Sequence, residues 1–281
     1  MKILWVADYS LKEHQGGAQQ TNDVMIKAGV DRGHIIDTLG YEDTIPELSG
    51  YDLIILNNIA HQSRDRVQTF LDTGKCIRYE HDDWVPRNWP ELYKSIPFTI
   101  FLSPLHRDRA FKEIGYKFEN CTIIPSPIDS KLFCISDEPK EKNSVLCVGN
   151  LCPEKGLAEL IQYAEQNPHL KFYCVGWGNL IKELEAQPNI EFVGELHQED
   201  LVKYYQRCEY FYHRPRLNEA FGRTVIEAYL CGCNLLLNNN IGAISWDWDF
   251  SNYEEVKKAV QSQNKFWKVV ENEIQTIGNM E

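Results

Sequence analysis

Short β-rich runs alternate with longer helical patterns from one end of this 281-residue chain to the other. "KILWVA" (2–7), "DLIILN" (52–57), "KCIRYE" (75–80), "FTIFLS" (98–103) and "CTIIPS" (121–126) read as strands in the first half. "SVLCVG" (144–149), "KFYCVG" (171–176), "IEFVG" (190–194), "YFYH" (210–213) and "NLLLN" (234–238) continue the series. Several are near-continuous apolar runs, as parallel strands buried on both faces require. The segments between them, such as "GLAELIQYAEQ" (156–166) and "QEDLVKYYQRC" (198–208), carry helical spacing. This alternation specifies α/β wound sheets. With 43% hydrophobic residues, the chain can build one large core or two modest ones.

The most linker-like stretch is "ISDEPKEKN" (135–143), charged, poor in apolar residues and containing Pro139. It divides the chain into two Rossmann-like doubly wound domains, 1–134 and 144–250, expected to face each other across a cleft. Ligands of such sheets bind at the carboxyl ends of the strands. Beyond residue 250, "NYEEVKKAVQSQNKFWKVVENEI" reads as one or two amphipathic helices. This 251–281 tail is expected either to cross back to the first domain or to pair in a homodimer.

Net charge is −12, from 29 basic and 41 acidic residues. That sign disfavours nucleic acid and anionic membranes as broad partners. Nine cysteines without CxxC pairs read as buried reduced thiols of a cytoplasmic protein, and eight scattered histidines supply no zinc cluster. No metal site is expected. The apolar run at the N-terminus ends at Asp8, too soon for a signal segment, and no run approaches the roughly 20 residues of a membrane span.

"NEAFGRTVIEAYLCGCNLL" (218–236) sets Glu219 and Glu227 eight positions apart around Phe221-Gly222. A helix starting near Phe221 leaves the N–H groups of Ala220 to Arg223 free, and these donors with the helix dipole suit an anion. Gly222 lets the anion approach the backbone. Five residues further on, about 7.5 Å along the axis, Glu227 is placed to accept hydrogen bonds from ribose hydroxyls. Glu219 could then hold hydroxyls of a sugar beyond the phosphates. Taken alone, the same residues also fit an ordinary amphipathic helix with one capping and one surface glutamate.

"VGNLCPEKGLAELI" (148–161) places Lys155 before Gly156 at a helix start, where a lysine neutralises phosphate as a point charge. "HQGGAQQ" (14–20) offers Gly16-Gly17, whose amides could meet a phosphate or a sugar. Neither has the spacing of a nicotinamide site or a P-loop.

Together and in order, these segments resemble the family 4 glycosyltransferases, retaining enzymes of the two-domain GT-B fold. The likeness covers roughly residues 1–245. "NEAFGRTVIEAYLCGCNLL" is similar to the family's Glu-x7-Glu segment, and "VGNLCPEKG" to its phosphate-binding "vGRl-x-x-x-KG". "IIPSPIDSKLF" (123–133) resembles "viPnGvD-x-x-x-F", "RYEHDDW" (78–84) the "tvHD" strand end, and "HQGGAQQ" the first-loop double glycine.

The resemblance implies a hexose transfer from a nucleotide-diphosphate sugar, UDP- or GDP-linked, with no cofactor and no metal. Glu219 would lie against the donor sugar and Glu227 would hold the ribose. Lys155 and the amides of Phe221 and Gly222 would balance the diphosphate, while Gly16 and Gly17 close over the donor. His81 would sit near the anomeric carbon, beside Asp82. The family's arginine is Asn150 here, so one phosphate-neutralising charge is missing unless Arg223, Arg214 or Arg216 substitutes; the glycine of "nGvD" is Pro127.

In such a transfer the leaving diphosphate gains charge, which Lys155 and the helix N-terminus would stabilise. The first domain would take the acceptor. Trp84 and Trp89 of "HDDWVPRNWPELY" (81–93) either stack on an acceptor sugar with Asp82 alongside or pack in a core. Acceptors left open are a glycan, a lipid-linked sugar, a small molecule, a protein or modified DNA. The alternative is a sugar-nucleotide-binding partner subunit with little or no transfer activity, which Asn150 would fit.

Overall fold

The computed structural model describes residues 1–9, 16–179 and 181–278. The chain divides into two compact units, Met1–Pro127 with Ala259–Glu281, and Ile128–Lys258. Each contains a parallel sheet flanked by helices.

Among the described residues, the first unit has a six-stranded sheet. Its strands are β1 (Lys2–Val6), β2 (Ile35–Leu39), β3 (Leu53–Leu56), β4 (Cys76–Tyr79), β5 (Thr99–Phe101) and β6 (Cys121–Ile123). They lie in the order β2-β1-β3-β4-β5-β6. β3 and β4 are buried along their whole length, the expected state of central strands covered on both faces. β2 escapes the sequence pattern because it is an edge strand. Among the described residues it pairs only with β1, Ile35 is 63% exposed, and a half-covered strand does not need a continuous apolar run.

The connecting helices are α1 (Gly17–Asp31), α2 (Arg64–Leu71), α3 (Trp84–Asn88) and α4 (Pro104–Ile114). Ser63 Oγ accepts from the Arg66 N–H and Ser103 Oγ from the His106 N–H, so both α2 and α4 begin on serine caps. The core collects Leu4, Val6, Ile54, Leu56, Phe70 and Phe101.

The second unit holds β7 (Glu141–Leu151), β8 (Lys171–Gly178), β9 (Ile190–Gly194), β10 (Cys208–His213) and β11 (Asn234–Leu237), in the order β11-β10-β7-β8-β9. β7 starts at Glu141, inside the stretch read from sequence as linker. The Glu141 carboxylate accepts from the Tyr173 hydroxyl and pairs with Arg207, which ties that end of the strand to its neighbours. The helices are α5 (Leu157–Gln166), α6 (Ile181–Glu185), α7 (Gln198–Arg207), α8 (Arg223–Leu230) and α9 (Tyr253–Ala259). Leu157, Leu160 and Ala164 of α5 pack with Val145, Phe172 and Cys174.

α10 (Gln263–Gly278) belongs to the first unit. Trp267 is fully buried, its indole N–H donates to the Met25 carbonyl, and Arg32 forms a two-pronged pair with Glu271. Burying a side chain of this size contributes about 2–3 kcal/mol. Among the described residues no helix is long and apolar enough to cross a membrane.

Candidate functional site

β7 and β10 are adjacent parallel strands, so their carboxyl ends bring together loops distant in sequence. After β7 the chain makes a 3-10 turn, Pro153–Lys155, and enters α5 through Gly156 at φ +81°. A Cβ on Gly156 would stand 2.0 Å from the Arg214 carbonyl oxygen. Glycine is therefore required both for the left-handed backbone and for the close approach. The Glu154 carbonyl accepts from the N–H groups of Arg216 and Leu217, tying this turn to the segment after β10.

Glu219 is clamped by its backbone. Its N–H donates to the Asn240 carbonyl at 2.8 Å and its own carbonyl accepts from Gly242 N–H at 3.0 Å. α8 begins at Arg223, two residues later than the start near Phe221 read from sequence. The reason is Gly222, whose φ of +87° makes it the residue before the helix, and Phe221, whose carbonyl accepts from Ala243 N–H.

The clamped Glu219 faces Lys155 and His213. Lys155 Nζ donates to Oε1 at 2.7 Å, and His213 Nε2, at the last position of β10, lies 2.9 Å from the same oxygen. Burial by itself raises this carboxyl, but the charges of His213 and Lys155 more than offset it and hold it well below its ordinary range. Glu219 is thus a carboxylate. Lys155 is the more exposed partner, with 43% of its side chain accessible.

The Glu227 carboxyl is shifted in the opposite direction. It is buried on α8, accepts from the Tyr205 hydroxyl at 3.1 Å and lies 3.5 Å from Arg223, one helical turn away. Burial pushes its carboxyl up, with Arg223 and Tyr205 opposing. Asn150 lines a small hollow with Lys155, Gly156 and His213. Of the arginines weighed as substitutes at Asn150, Arg223 pairs with Glu227 and Arg216 with Glu159. Arg214 lies over the rings of Tyr163 and Tyr212.

In the first unit, Gly16 precedes α1 and Gly17 opens it; His14 and Gln15 of the same motif lie outside the described residues. His81 follows β4, half-buried, with its ring against Tyr79 at 4.5 Å. Beneath it Arg78 and Glu80 are fully buried and doubly bonded at 2.9 and 2.6 Å. Glu80 also accepts from Tyr93 and from the N–H groups of His81 and Asp82, which fixes this turn. Asp82 Oδ1 accepts from the Trp84 N–H at 2.7 Å, at the first residue of α3. Trp84 is exposed. Trp89 is not available for an acceptor sugar: it is 9% exposed and packs in the core, where its large apolar ring is better buried, under the Arg64 guanidinium.

The structure brings together Lys155 and Glu219, both named from sequence, and adds His213, which the sequence reading does not single out; Glu80 is not singled out either. His213 had a signal, a histidine at the carboxyl end of a strand, the end where such sheets bind ligands. Among the described residues no three His, Cys, Asp or Glu side chains cluster to hold a metal ion, and all nine cysteines are free thiols.

Residues 130–245 match the family model described as glycosyl transferases group 1. No curated protein matches the chain. Among solved structures, it is similar to Anabaena HepE, determined in complex with UDP and glucose, at 17% identity and a TM-score of 0.65, over 100% of this chain and 98% of that one. It is similar to sucrose-phosphate synthase from Thermosynechococcus elongatus at 16% identity and a TM-score of 0.70, over 98% and 94%. An alpha-glucosyltransferase in complex with UDP-glucose and DNA containing an abasic site gives 14% identity and a TM-score of 0.60, over 99% and 94%. At such identities the likeness establishes architecture: the chain has the GT-B fold, and its second unit carries the region matched to glycosyl transferases group 1.

Proposed function

We propose that this protein is a retaining, family 4 type glycosyltransferase that moves a hexose from a nucleotide-diphosphate sugar to an acceptor hydroxyl without a bound metal. The observation that carries the reading is the Glu219–Lys155–His213 cluster at the carboxyl ends of β7 and β10. A fixed carboxylate suits sugar hydroxyls, and an exposed lysine beside a helix start suits a diphosphate. The complexes of HepE and of the alpha-glucosyltransferase support a UDP-linked donor.

In this reading Glu219 orients the donor sugar and stabilises positive charge at its anomeric carbon. Lys155, with the Phe221 and Gly222 amides and with Ala220 and Arg223 alongside, compensates charge growing on the leaving diphosphate. Glu227 takes the ribose. The resemblance assigns Gly16, Gly17 and His81 to the donor, and Asp82 and Trp84 to the acceptor. We assign the protein to the cytoplasm, where thiols stay reduced.

A thermal-shift panel of UDP-, GDP-, ADP- and dTDP-sugars tests donor binding. A sugar nucleotide at 100 times its dissociation constant adds about 2.7 kcal/mol to the folded state. A flat response to all four removes the reading. Anomeric NMR of the product tests retention, and turnover undiminished by a chelator tests metal independence. A second reading, a sugar-nucleotide-binding partner subunit, is favoured by Asn150 standing where the family's arginine would be. It predicts donor binding without release of nucleoside diphosphate.

A further inference from the structure

One face of α5 lines a hollow. Leu157, Leu160 and Ala164 are buried, while Glu159, Gln162, Tyr163 and Gln166, at i, i+3, i+4 and i+7, line a hollow of about 430 Å³. That spacing defines one helix stripe, and the volume is in the range of small-molecule sites. Tyr212, Arg214 and Arg216 form much of the remaining wall. The hollow includes neither Lys155 nor Glu219.

Some of its polar groups are already engaged. Arg216 Nε donates to Glu159 at 2.6 Å, and the side-chain amides of Asn238 and Asn240 both donate to the Pro215 carbonyl at 2.9 Å. Arg214 is different. Its guanidinium lies 5.4 Å from the Tyr212 ring centre and 5.6 Å from that of Tyr163, and it forms no ion pair among the described residues. Its Nε is buried without a hydrogen-bond partner. Native proteins rarely leave such a donor unsatisfied. Gln162 and Gln166 remain as donor–acceptor amides without a partner among the described residues.

We propose that this hollow is a second binding site, for a sugar carrying an anionic group. Each open group has a counterpart in such a molecule. Amides both donate to and accept from sugar hydroxyls, the half-buried Tyr163 ring can meet the C–H face of a pyranose, and a guanidinium without an ion pair takes a carboxylate or a phosphate. An inorganic anion would use Arg214 alone and leave the glutamines and Tyr163 idle. A neutral sugar would leave the guanidinium unmatched.

The test is a set of NMR titrations of the full chain, following the side-chain N–H signals of Arg214, Gln162 and Gln166. The probes are digalacturonate, glucose 6-phosphate, maltose and inorganic phosphate. Saturable shifts are expected with at least one of the two acidic sugars. It should bind roughly tenfold or more tightly than both maltose and inorganic phosphate, the scale of one charge-assisted hydrogen bond. Arg214→Gln should abolish that preference. Gln162→Ala with Gln166→Ala, on an uncovered helix face, should keep the wild-type melting temperature and weaken binding of the acidic sugar. No saturable shift with either acidic sugar overturns the site. So does phosphate or maltose binding as tightly as the acidic sugars, or a glutamine pair whose loss changes nothing.

Discussion

Lys155 and Glu219 stand 64 positions apart in the chain and 2.7 Å apart in space. The contact joins the turn after β7 to the turn before α8. Its lysine end is open to solvent and its glutamate end is not, with 43% and 13% of the side chains accessible. That asymmetry separates its weight in stability from its weight in function.

Replacing Lys155 with Met should therefore cost less than about 1 kcal/mol of stability, as for other solvent-screened pairs. In the proposed donor site the same change should weaken binding of a sugar nucleotide by about tenfold or more, because a phosphate loses its point charge. Denaturant unfolding and a calorimetric titration on one preparation check both halves.

Glu219→Gln should lower turnover by about 10²-fold while leaving the fold intact, the scale of one preorganised electrostatic contact. Near-normal turnover in a folded variant removes Glu219 from its proposed role.

The same residue sets a pH dependence. Its folded carboxyl titrates below its ordinary 4.5, so its stabilising contribution is complete above that value and is lost as the pH falls toward the folded one. Between about pH 5 and about pH 3 the wild-type melting temperature should drop further than that of Glu219→Gln. Parallel curves for the two proteins would contradict the ion cluster.

Gly156→Ala should destabilise by at least about 2 kcal/mol, from left-handed strain alone. The clash with the Arg214 carbonyl adds to this, because backbone cannot rotate away as a side chain can. Urea unfolding midpoints measure it; a shift under about 0.5 kcal/mol would mean that the turn relaxes freely.

Arg78→Met should cost about 3–5 kcal/mol, because it leaves Glu80 charged and buried without its partner. Adding Glu80→Leu to that variant should restore part of the loss, so a double-mutant cycle must show strong coupling.

Periodicity made most of this fold legible. β3 and the central parts of β7 and β8 are apolar where both faces are covered, and a covered strand must advertise itself in sequence. β2 did not, since an edge strand meets a weaker demand. Glu219 and Lys155 could be named from local motifs, because a carboxylate before a helix and a lysine before a glycine are short-range patterns. His213 could not be joined to them without the strand order, which places β10 beside β7. Trp89 shows the limit from the other side: an aromatic among charges reads the same whether its ring meets a sugar or a core.

The sequence by itself determined most of the strands and helices, though not β2 or the first residues of β7, and where glycines open the turns, since those follow from side-chain spacing and backbone sterics over a few residues. Only the tertiary structure decided that Glu219 is an anion and that Glu227 is pushed the other way. Burial and neighbouring charge set those states, and both come from residues brought close by the packing of distant segments.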